Sequence, residues 1–304
     1  MSSFSLKFNP KLTVLSFGGG QDSTTILYKL MLNPDFRKEY APRDLVVVMA
    51  ETGNEHDETY THLVRVKHLC KVANIPFFHI GMDEYTAPSW RKGLIGFYQE
   101  GNRIGSKAYP KSCTDQLKIR PIYKWLDEYV YNTYDIDAKP GRKAAIKEFT
   151  KHYGRIQVLL GIAKGEEKRA SINEESPNKW MRDCIHKRYP LIELGMDRQA
   201  CQDYFVEIDA DIPMPSNCIL CPFLSHQELL YMYRMEPDWY NFWVKLEQNK
   251  IDANKHMGDN NMGVWGRKLL PEVLKEAEEK YGHMTNEELR KYKMSHGHCV
   301  MSKY

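Results

Sequence analysis

Residues 12–24 read Leu12-Thr13-Val14-Leu15-Ser16-Phe17-Gly18-Gly19-Gly20-Gln21-Asp22-Ser23-Thr24. The short apolar run ending in glycines predicts a buried parallel strand. The glycines let the backbone turn sharply and bring its N–H groups close to phosphate oxygens. Ser23 and Thr24 add hydroxyl donors where the next helix begins and its dipole favours anions. The stretch therefore predicts a strand, a phosphate-binding loop and a helix; a tight turn with a serine cap is the alternative.

The segments that follow continue the alternation of strand and helix. Residues 45–50 and 77–80 are short apolar runs, and residues 56–74 carry a helical apolar stripe between them. A further apolar run at residues 156–161 predicts a fourth strand. This order predicts a parallel sheet with right-handed crossovers, which is an α/β fold. From residue 225 onward the pattern is helical and rich in aromatic residues.

The glycine loop resembles the Ser-Gly-Gly-x-Asp-Ser loop of the PP-loop ATP pyrophosphatases. It departs at the first position, where Gly18 stands for serine, and Ser16 or Ser23 could compensate for the lost hydroxyl. It is not a Walker A loop, because no Gly-Lys-Ser/Thr follows.

Four later segments resemble one branch of that superfamily, the phosphoadenosine-phosphosulfate (PAPS) reductase-like family. They are Glu51-Thr52-Gly53-Asn54-Glu55, the stretch from Ser112 to Pro121, the stretch from Gly161 to Ala170, and Tyr189-Pro190-Leu191-Ile192. The likeness covers residues 12–224. It implies an adenine nucleotide α-hydrolase-like (HUP-type) domain over residues 1–224, followed by a helical C-terminal region over residues 225–304.

The resemblance and the residue chemistry together identify candidate site residues. Glu51 follows a strand and could hold Mg²⁺ or a ribose hydroxyl, or be an ordinary helix-start acid. Lys118, more than Arg120, suits a nucleotide phosphate, as do Lys164 and Arg169. The candidate nucleotide-binding residues are Ser16, Gly18, Gly19, Gly20, Gln21, Asp22, Ser23, Thr24, Glu51, Thr52, Gly53, Lys118, Gly161, Lys164 and Arg169. The candidate catalytic residues are Asp22, Ser23, Lys118 and Cys113.

The chain has seven cysteines, and Cys218-Ile219-Leu220-Cys221 is a C-x-x-C motif, which favours a metal site. Cluster-bearing relatives use a Cys-Cys pair where this chain has Ser112-Cys113. The candidate ligands are Cys113, Cys184, Cys218 and Cys221, for a [4Fe–4S] cluster or Zn²⁺. Cys201 is an alternative fourth ligand, an open fourth position is another, and buried thiols without metal are the plain alternative. We expect Cys70, on an apolar helical stripe, to be core.

The composition sets limits on location. The longest apolar run, residues 45–50, is too short to cross a bilayer, and the first residues lack the pattern of a signal peptide. We expect a cytoplasmic protein with no membrane association. A net charge of +3 does not by itself indicate nucleic-acid binding.

Three functions are consistent with the sequence. The first is an ATP- and Mg²⁺-dependent enzyme that adenylates a nucleic acid or small molecule, releases pyrophosphate and transfers sulfur from a donor. The second is a reductase of PAPS or adenosine phosphosulfate that works with a thioredoxin-like partner; the tail around Cys299 matches its catalytic tail poorly. The third is a non-catalytic nucleotide-binding partner subunit. Members of the family often dimerise, so the resemblance also implies a homodimer.

Overall fold

A computed structural model of the chain describes residues 8–110, 112–171 and 175–296, so Cys299 lies outside the described residues. Five parallel strands form one sheet within these ranges. They are β1 Leu12–Ser16, β2 Asp44–Ala50, β3 Phe77–Ile80, β4 Ile156–Leu160 and β5 Ile185–Arg188. Their order across the sheet is β3-β2-β1-β4-β5. The predicted α/β class is therefore confirmed.

Helices cover both faces of the sheet and make up the C-terminal part. They are α1 Gln21–Leu32, α2 Pro34–Tyr40, α3 Asp57–Val72, α4 Met82–Tyr85, α5 Gly93–Gly101, α6 Arg120–Thr133, α7 Ala144–Tyr153, α8 Lys179–Cys184, α9 Pro190–Glu193, α10 Arg198–Glu207, α11 His226–Met235, α12 Pro237–Ala253, α13 Leu270–Tyr281 and α14 Asn286–Ser295. A π-helical turn, Asp115–Ile119, leads into α6. None of the helices in the described ranges is long and apolar enough to cross a membrane.

The pleat of the strands sends alternate side chains to two separate cores. In β1, Val14 belongs to the core beneath α6 and α7, whereas Leu15 belongs to the core beneath α1, α2 and α10. In β2, Val46 and Val47 divide in the same way. Because both faces are covered, β1, β2 and β4 are mostly apolar along their length, as the sequence predicted.

The order in which the strands are added changes direction at β1, since β2 lies on one side of it and β4 on the other. In open parallel sheets the crevice for a ligand opens at this switch point, beyond the carboxyl ends of the two strands. The glycine loop follows β1 and Gly161 follows β4. The fold therefore places both segments at the mouth of one crevice.

The sequence analysis missed β5, which continues the sheet next to β4. Three of its four residues are His186, Lys187 and Arg188, so the strand carries no apolar run or alternation to reveal it. Tertiary pairing with β4 determines its conformation instead.

A third core joins the C-terminal helices to the rest of the chain. Trp90, Leu94 and Leu117 pack in one cluster with residues of α11, α12 and α13, including the fully buried Trp243. The cluster also takes in residues 219–221, so side chains from both sides of position 224 share it. The C-terminal part is helical, as expected; the division into units at residue 224 stays a prediction.

Candidate active site

The glycine loop is held by its own hydroxyl groups at the start of α1. The hydroxyl of Ser23 accepts a hydrogen bond from the Gly18 N–H at 3.1 Å and donates one to the Gly20 carbonyl at 3.3 Å. The Thr24 hydroxyl also donates to the Gly20 carbonyl, at 2.8 Å. Gly19 adopts a φ of +77°, in the left-handed region that favours glycine. The loop thus closes onto the helix N-terminus, where the first N–H groups lack intrahelical partners.

Two glycines of the site are required by close backbone contact. A Cβ atom on Gly161 would lie 2.7 Å from the backbone nitrogen of Ser23. A Cβ atom on Gly20 would lie 2.5 Å from the backbone nitrogen of Ser216. Distances this short to backbone atoms leave no room for a side chain. Three segments, the glycine loop, the end of β4 and the stretch before the C-x-x-C motif, therefore meet at van der Waals distance.

A cleft opens where these segments meet, and its walls differ in character. One wall is apolar and the other is polar. Its apolar residues include Met49, Ala50, Ile119, Ile122, Val158, Leu160 and Ile162. Its polar residues are drawn mainly from the glycine loop and from four cationic side chains. An apolar surface with convergent polar groups is the usual composition of a small-molecule site.

The four cations of the cleft are Lys118, Arg169, Lys187 and Arg198. Arg198 bridges Asp22, at 3.2 Å, and Glu166, at 3.1 Å, and Arg169 also pairs with Glu166. These ion pairs fix the guanidinium groups in place beside the glycine loop, which suits the binding of an anion.

The other two cations come from different sides of the cleft. The Lys118 ammonium lies 3.1 Å from the buried carboxylate of Glu55, and Lys187 donates to the hydroxyl of Ser171 at 2.7 Å. Burial lowers the pKa of Lys187 to about 8. Lys187 and Arg198 were not among the residues predicted from the sequence. Lys187 lies inside β5 and Arg198 is the first residue of α10, and neither belongs to a motif, although Lys187 stands two residues before the Tyr-Pro-Leu-Ile run.

Asp22 lies in the first turn of α1 and lines the cleft. Burial raises its pKa, while Arg198 opposes that shift. One carboxylate oxygen, Oδ1, is buried without a hydrogen-bond partner among the described protein atoms. Carboxylate oxygens are ligands that Mg²⁺ prefers when phosphate oxygens supply the rest of its shell. The donor that Asp22 offers therefore fits a magnesium ion bound together with a nucleotide.

Several predicted residues do line the cleft, and others do not. Those at its wall are Ser16, Gly18, Gly20, Gln21, Asp22, Ser23, Lys118, Gly161 and Arg169. Gly19 and Thr24 support the loop from behind, and the Lys164 side chain is exposed. Gln21 uses its amide to hold other segments, donating to the carbonyls of Pro213 and Met294 at 3.1 Å each.

The segment Glu51-Thr52-Gly53 also differs from the expectation that it lines the nucleotide site. Glu51 accepts hydrogen bonds from the backbone of Thr52 and Gly53 and from the Tyr60 hydroxyl, and it pairs with His79. Burial raises the pKa of Glu51, but the bonds from His79, Gly53 and Tyr60 outweigh it and lower the pKa to about 2. Glu51 therefore acts as a cap for its own loop. In the described part of the chain, neither it nor Thr52 nor Gly53 reaches the cleft wall.

Three of the four predicted metal-ligating cysteines come together. Cys113, Cys218 and Cys221 line a small second cavity. Cys184 belongs instead to the core of the sheet, where its thiol bonds to Thr150, so the expected four-cysteine set is not assembled. Cys201, the alternative ligand, is buried in another core cluster, and Cys70 is core, as expected.

The geometry of the three cysteines does not by itself form a metal centre. Among the described residues, no group of three or more His, Cys, Asp or Glu side chains is arranged to hold a metal ion. Burial and the nearby carboxylate of Glu55 raise the pKa of the Cys218 thiol well above its usual value. A closed cluster with four thiolates therefore does not fit the residues present. Of the two kinds of metal site expected from the sequence, the side chains come nearer to the open one, in which three cysteines are the protein ligands and the fourth position is open.

Comparison with known proteins gives a distant structural likeness. No protein-family model and no curated protein matches the chain. Among the solved structures that match is a U34-tRNA thiolase, NcsA from Methanococcus maripaludis, with its [4Fe-4S] cluster. That match has 12% sequence identity and a TM-score of 0.41, and it covers 93% of this chain and 76% of that chain. The fold and the candidate site of this protein are therefore characterised by its own sheet, cleft and cysteine cavity.

Proposed function

We propose that the chain binds ATP in the cleft and transfers its AMP to an oxygen of a second substrate, with release of pyrophosphate. The observation that carries this proposal is the composition of the cleft at the switch point of the sheet. A glycine loop closed by Ser23, four cations and an apolar wall meet there. These are the groups that a triphosphate and a purine require.

The phosphates would lie against the glycine loop. Gly20 and the first turn of α1 offer backbone N–H groups there, and Arg169 and Arg198 stand beside them. The base would lie against the apolar wall formed by Ile122 and Leu160. Ordered donors and fixed charges of this kind need no rearrangement when negative charge develops in a transition state.

The reaction at the α-phosphorus follows from this placement. The acceptor oxygen attacks the α-phosphorus, the bond to the bridging oxygen of the β-phosphate breaks, and pyrophosphate leaves with that electron pair. Arg169, Lys187 and Arg198 would stabilise the charge on the phosphoryl oxygens. Asp22 would hold a magnesium ion, which when bound supplies further neutralisation of the phosphate charge.

The cysteine cavity supports a role in sulfur transfer. It adjoins the cleft through Lys118, Ser216 and Asn217, which line both. A hydrosulfide ion delivered there by a sulfide donor would stand beside the adenylated substrate. Its attack forms a carbon–sulfur bond and breaks the bond from carbon to the adenylated oxygen, so that AMP leaves with that oxygen and the S–H proton is lost to solvent. A tRNA is one nucleic acid among the acceptors to assay.

The products distinguish this proposal from the reductase alternative. Purified protein is incubated with ATP, Mg²⁺ and pooled tRNA or small-molecule acceptors, and pyrophosphate is measured. A parallel incubation contains PAPS and reduced thioredoxin, and sulfite is measured. We expect pyrophosphate and no sulfite. Sulfite without pyrophosphate would favour the reductase.

Replacing Asp22 with asparagine tests the magnesium assignment. In Asp22→Asn, the affinity for ATP with Mg²⁺ should fall by about tenfold or more, since an interaction with a charged group contributes about 1.5–3 kcal/mol. Affinity for ATP in EDTA should not fall, because the variant removes a negative charge near the phosphates. Asp203→Asn, at an exposed position of α10, is the control. Equal losses with and without Mg²⁺ would contradict the assignment.

The lowered pKa of Lys187, about 8, predicts a pH dependence of binding. The ammonium is mostly charged below this pH and mostly neutral above it, so ATP affinity should decline as pH rises from about 7 to about 9.5. Lys187→Arg keeps its charge and should remove the decline. Lys143, whose pKa burial also lowers to about 8, lies away from the cleft, so Lys143→Arg is the matched control. A wild-type affinity that is constant over this range would exclude the role.

Metal analysis tests the three-cysteine site. We propose that Cys113, Cys218 and Cys221 draw together around a metal when one is bound, so after anaerobic purification we expect iron with sulfide, or zinc, in the wild-type protein. Cys218→Ser should lose the metal, because Cys218 lines the second cavity, whereas Cys184→Ser should retain it because Cys184 lies in the sheet core. A metal-free wild-type protein, or loss of metal in Cys184→Ser alone, would overturn the site.

A further inference from the structure

The boundary between the nucleotide cleft and the cysteine cavity is narrow. Of the described residues, Lys118, Ser216 and Asn217 line both. The Lys118 ammonium is paired with Glu55, and the Ser216 backbone is packed against Gly20. The side chain of Asn217 contributes a neutral amide to this boundary, beside the Ser216 hydroxyl.

Asn217 is buried, with 3% of its surface exposed, and its amide nitrogen Nδ2 has no hydrogen-bond partner among the described protein atoms. A buried donor left without a partner costs free energy, about 1–3 kcal/mol. Each such group in a folded protein requires an explanation, and a bound molecule or ion that completes the hydrogen bond is one. Because Asn217 lines both cavities, the ligand atom would lie at their junction.

The backbone around Asn217 is fixed on both sides. Before it, the Gln21 amide donates to the Pro213 carbonyl at 3.1 Å, and the close approach of Ser216 to Gly20 follows. After it, the Ile219 N–H donates to the Asn54 carbonyl at 2.8 Å. The backbone that carries Asn217 is therefore held in position before any ligand arrives, which lowers the entropic cost of binding.

We propose that Asn217 donates a hydrogen bond from Nδ2 to a non-bridging oxygen of the α-phosphoryl group of the bound nucleotide. This rests on the proposed function, in which the acceptor meets the α-phosphorus at the end of the cleft nearest the cysteine cavity. Because the Asn217 amide is neutral, it can donate a hydrogen bond beside the Lys118–Glu55 ion pair without adding a further charge to the site. Asn217 thereby orients the phosphoryl group and stabilises the charge that develops on it.

A second buried asparagine, Asn54, serves as the control for Asn217 because it lies outside both cavities. Asn54 is also buried, with 2% exposed, and its amide nitrogen likewise has no described partner, yet it lines neither of the two cavities in the described part of the chain. Asn217→Ala and Asn54→Ala are compared with the wild-type protein. The midpoint of thermal unfolding is measured without ligand, and affinities are measured for ATP, AMP and PAPS, each of which carries an α-phosphoryl group.

We expect Asn217→Ala to unfold at the same or a higher temperature than the wild type without ligand, because it removes an unpaired buried donor. Its affinity for ATP and for AMP should fall by about tenfold in each case, the usual effect of losing one hydrogen bond to a charged group. Asn217→Asp should bind both more weakly still, because its carboxylate repels the phosphate. Asn54→Ala should bind both as the wild type does.

Three results would overturn the inference. The first is a lowered unfolding temperature of Asn217→Ala with unchanged affinities, which identifies a structural amide. The second is weaker binding of ATP but not of AMP, which places the contact on the β- or γ-phosphate. The third is unchanged affinity for every nucleotide that the wild type binds. If the wild type binds PAPS and not ATP, the proposed function fails, whereas weaker PAPS binding by Asn217→Ala still supports the role of Asn217.

Discussion

The close approach of three backbone segments is the constraint on which the site depends. The glycine loop, the end of β4 and the stretch before the C-x-x-C motif touch at Gly161 and Gly20, where a single Cβ atom would collide with the backbone of Ser23 or Ser216. Each segment comes from a different part of the chain. The contact therefore forms only when the parallel sheet and the third core are both in place, which ties the cleft to the whole fold.

This contact also joins the two chemical parts of the site. The residues that follow Ser216 lead directly into the cysteine cavity, and those that follow Gly20 form the first turn of α1. A change in the position of one part must shift the other, because Gly20 faces the backbone of Ser216 and Gly161 faces the backbone of Ser23 without room between them. In the proposed function, adenylation would take place in the cleft and the attack of sulfur on the acceptor carbon would take place beside the cysteine cavity.

The sequence predicts the parts of the site that local geometry determines. A glycine triplet between an apolar run and a helical pattern is enough to place the loop, and apolar runs are enough to place four strands. The edge strand β5, with its Lys187, has no such pattern, since pairing with β4 imposes its conformation. The partners of Arg198 are distant in sequence, so its bridge to Asp22 and Glu166 was not predictable.

Errors in the predicted site have the same origin. The motif around Glu51 indicates a carboxylate near the crevice, but only the structure shows that its oxygens are occupied by its own loop and by His79. Cysteine spacing cannot separate Cys184, which faces the sheet core, from Cys113, Cys218 and Cys221. Local pattern identifies candidate residue types, whereas the direction of each side chain depends on packing between elements.

The central claim is that a nucleotide binds in the cleft with its phosphates on the glycine loop. A crystal structure of the protein with Mg²⁺ and a non-hydrolysable ATP analogue tests it most directly. The account predicts phosphate density beside Gly18, Gly20 and Ser23, with the base against Ile122 and Leu160. Analogue bound elsewhere, or no analogue at a concentration that saturates binding in solution, would contradict it.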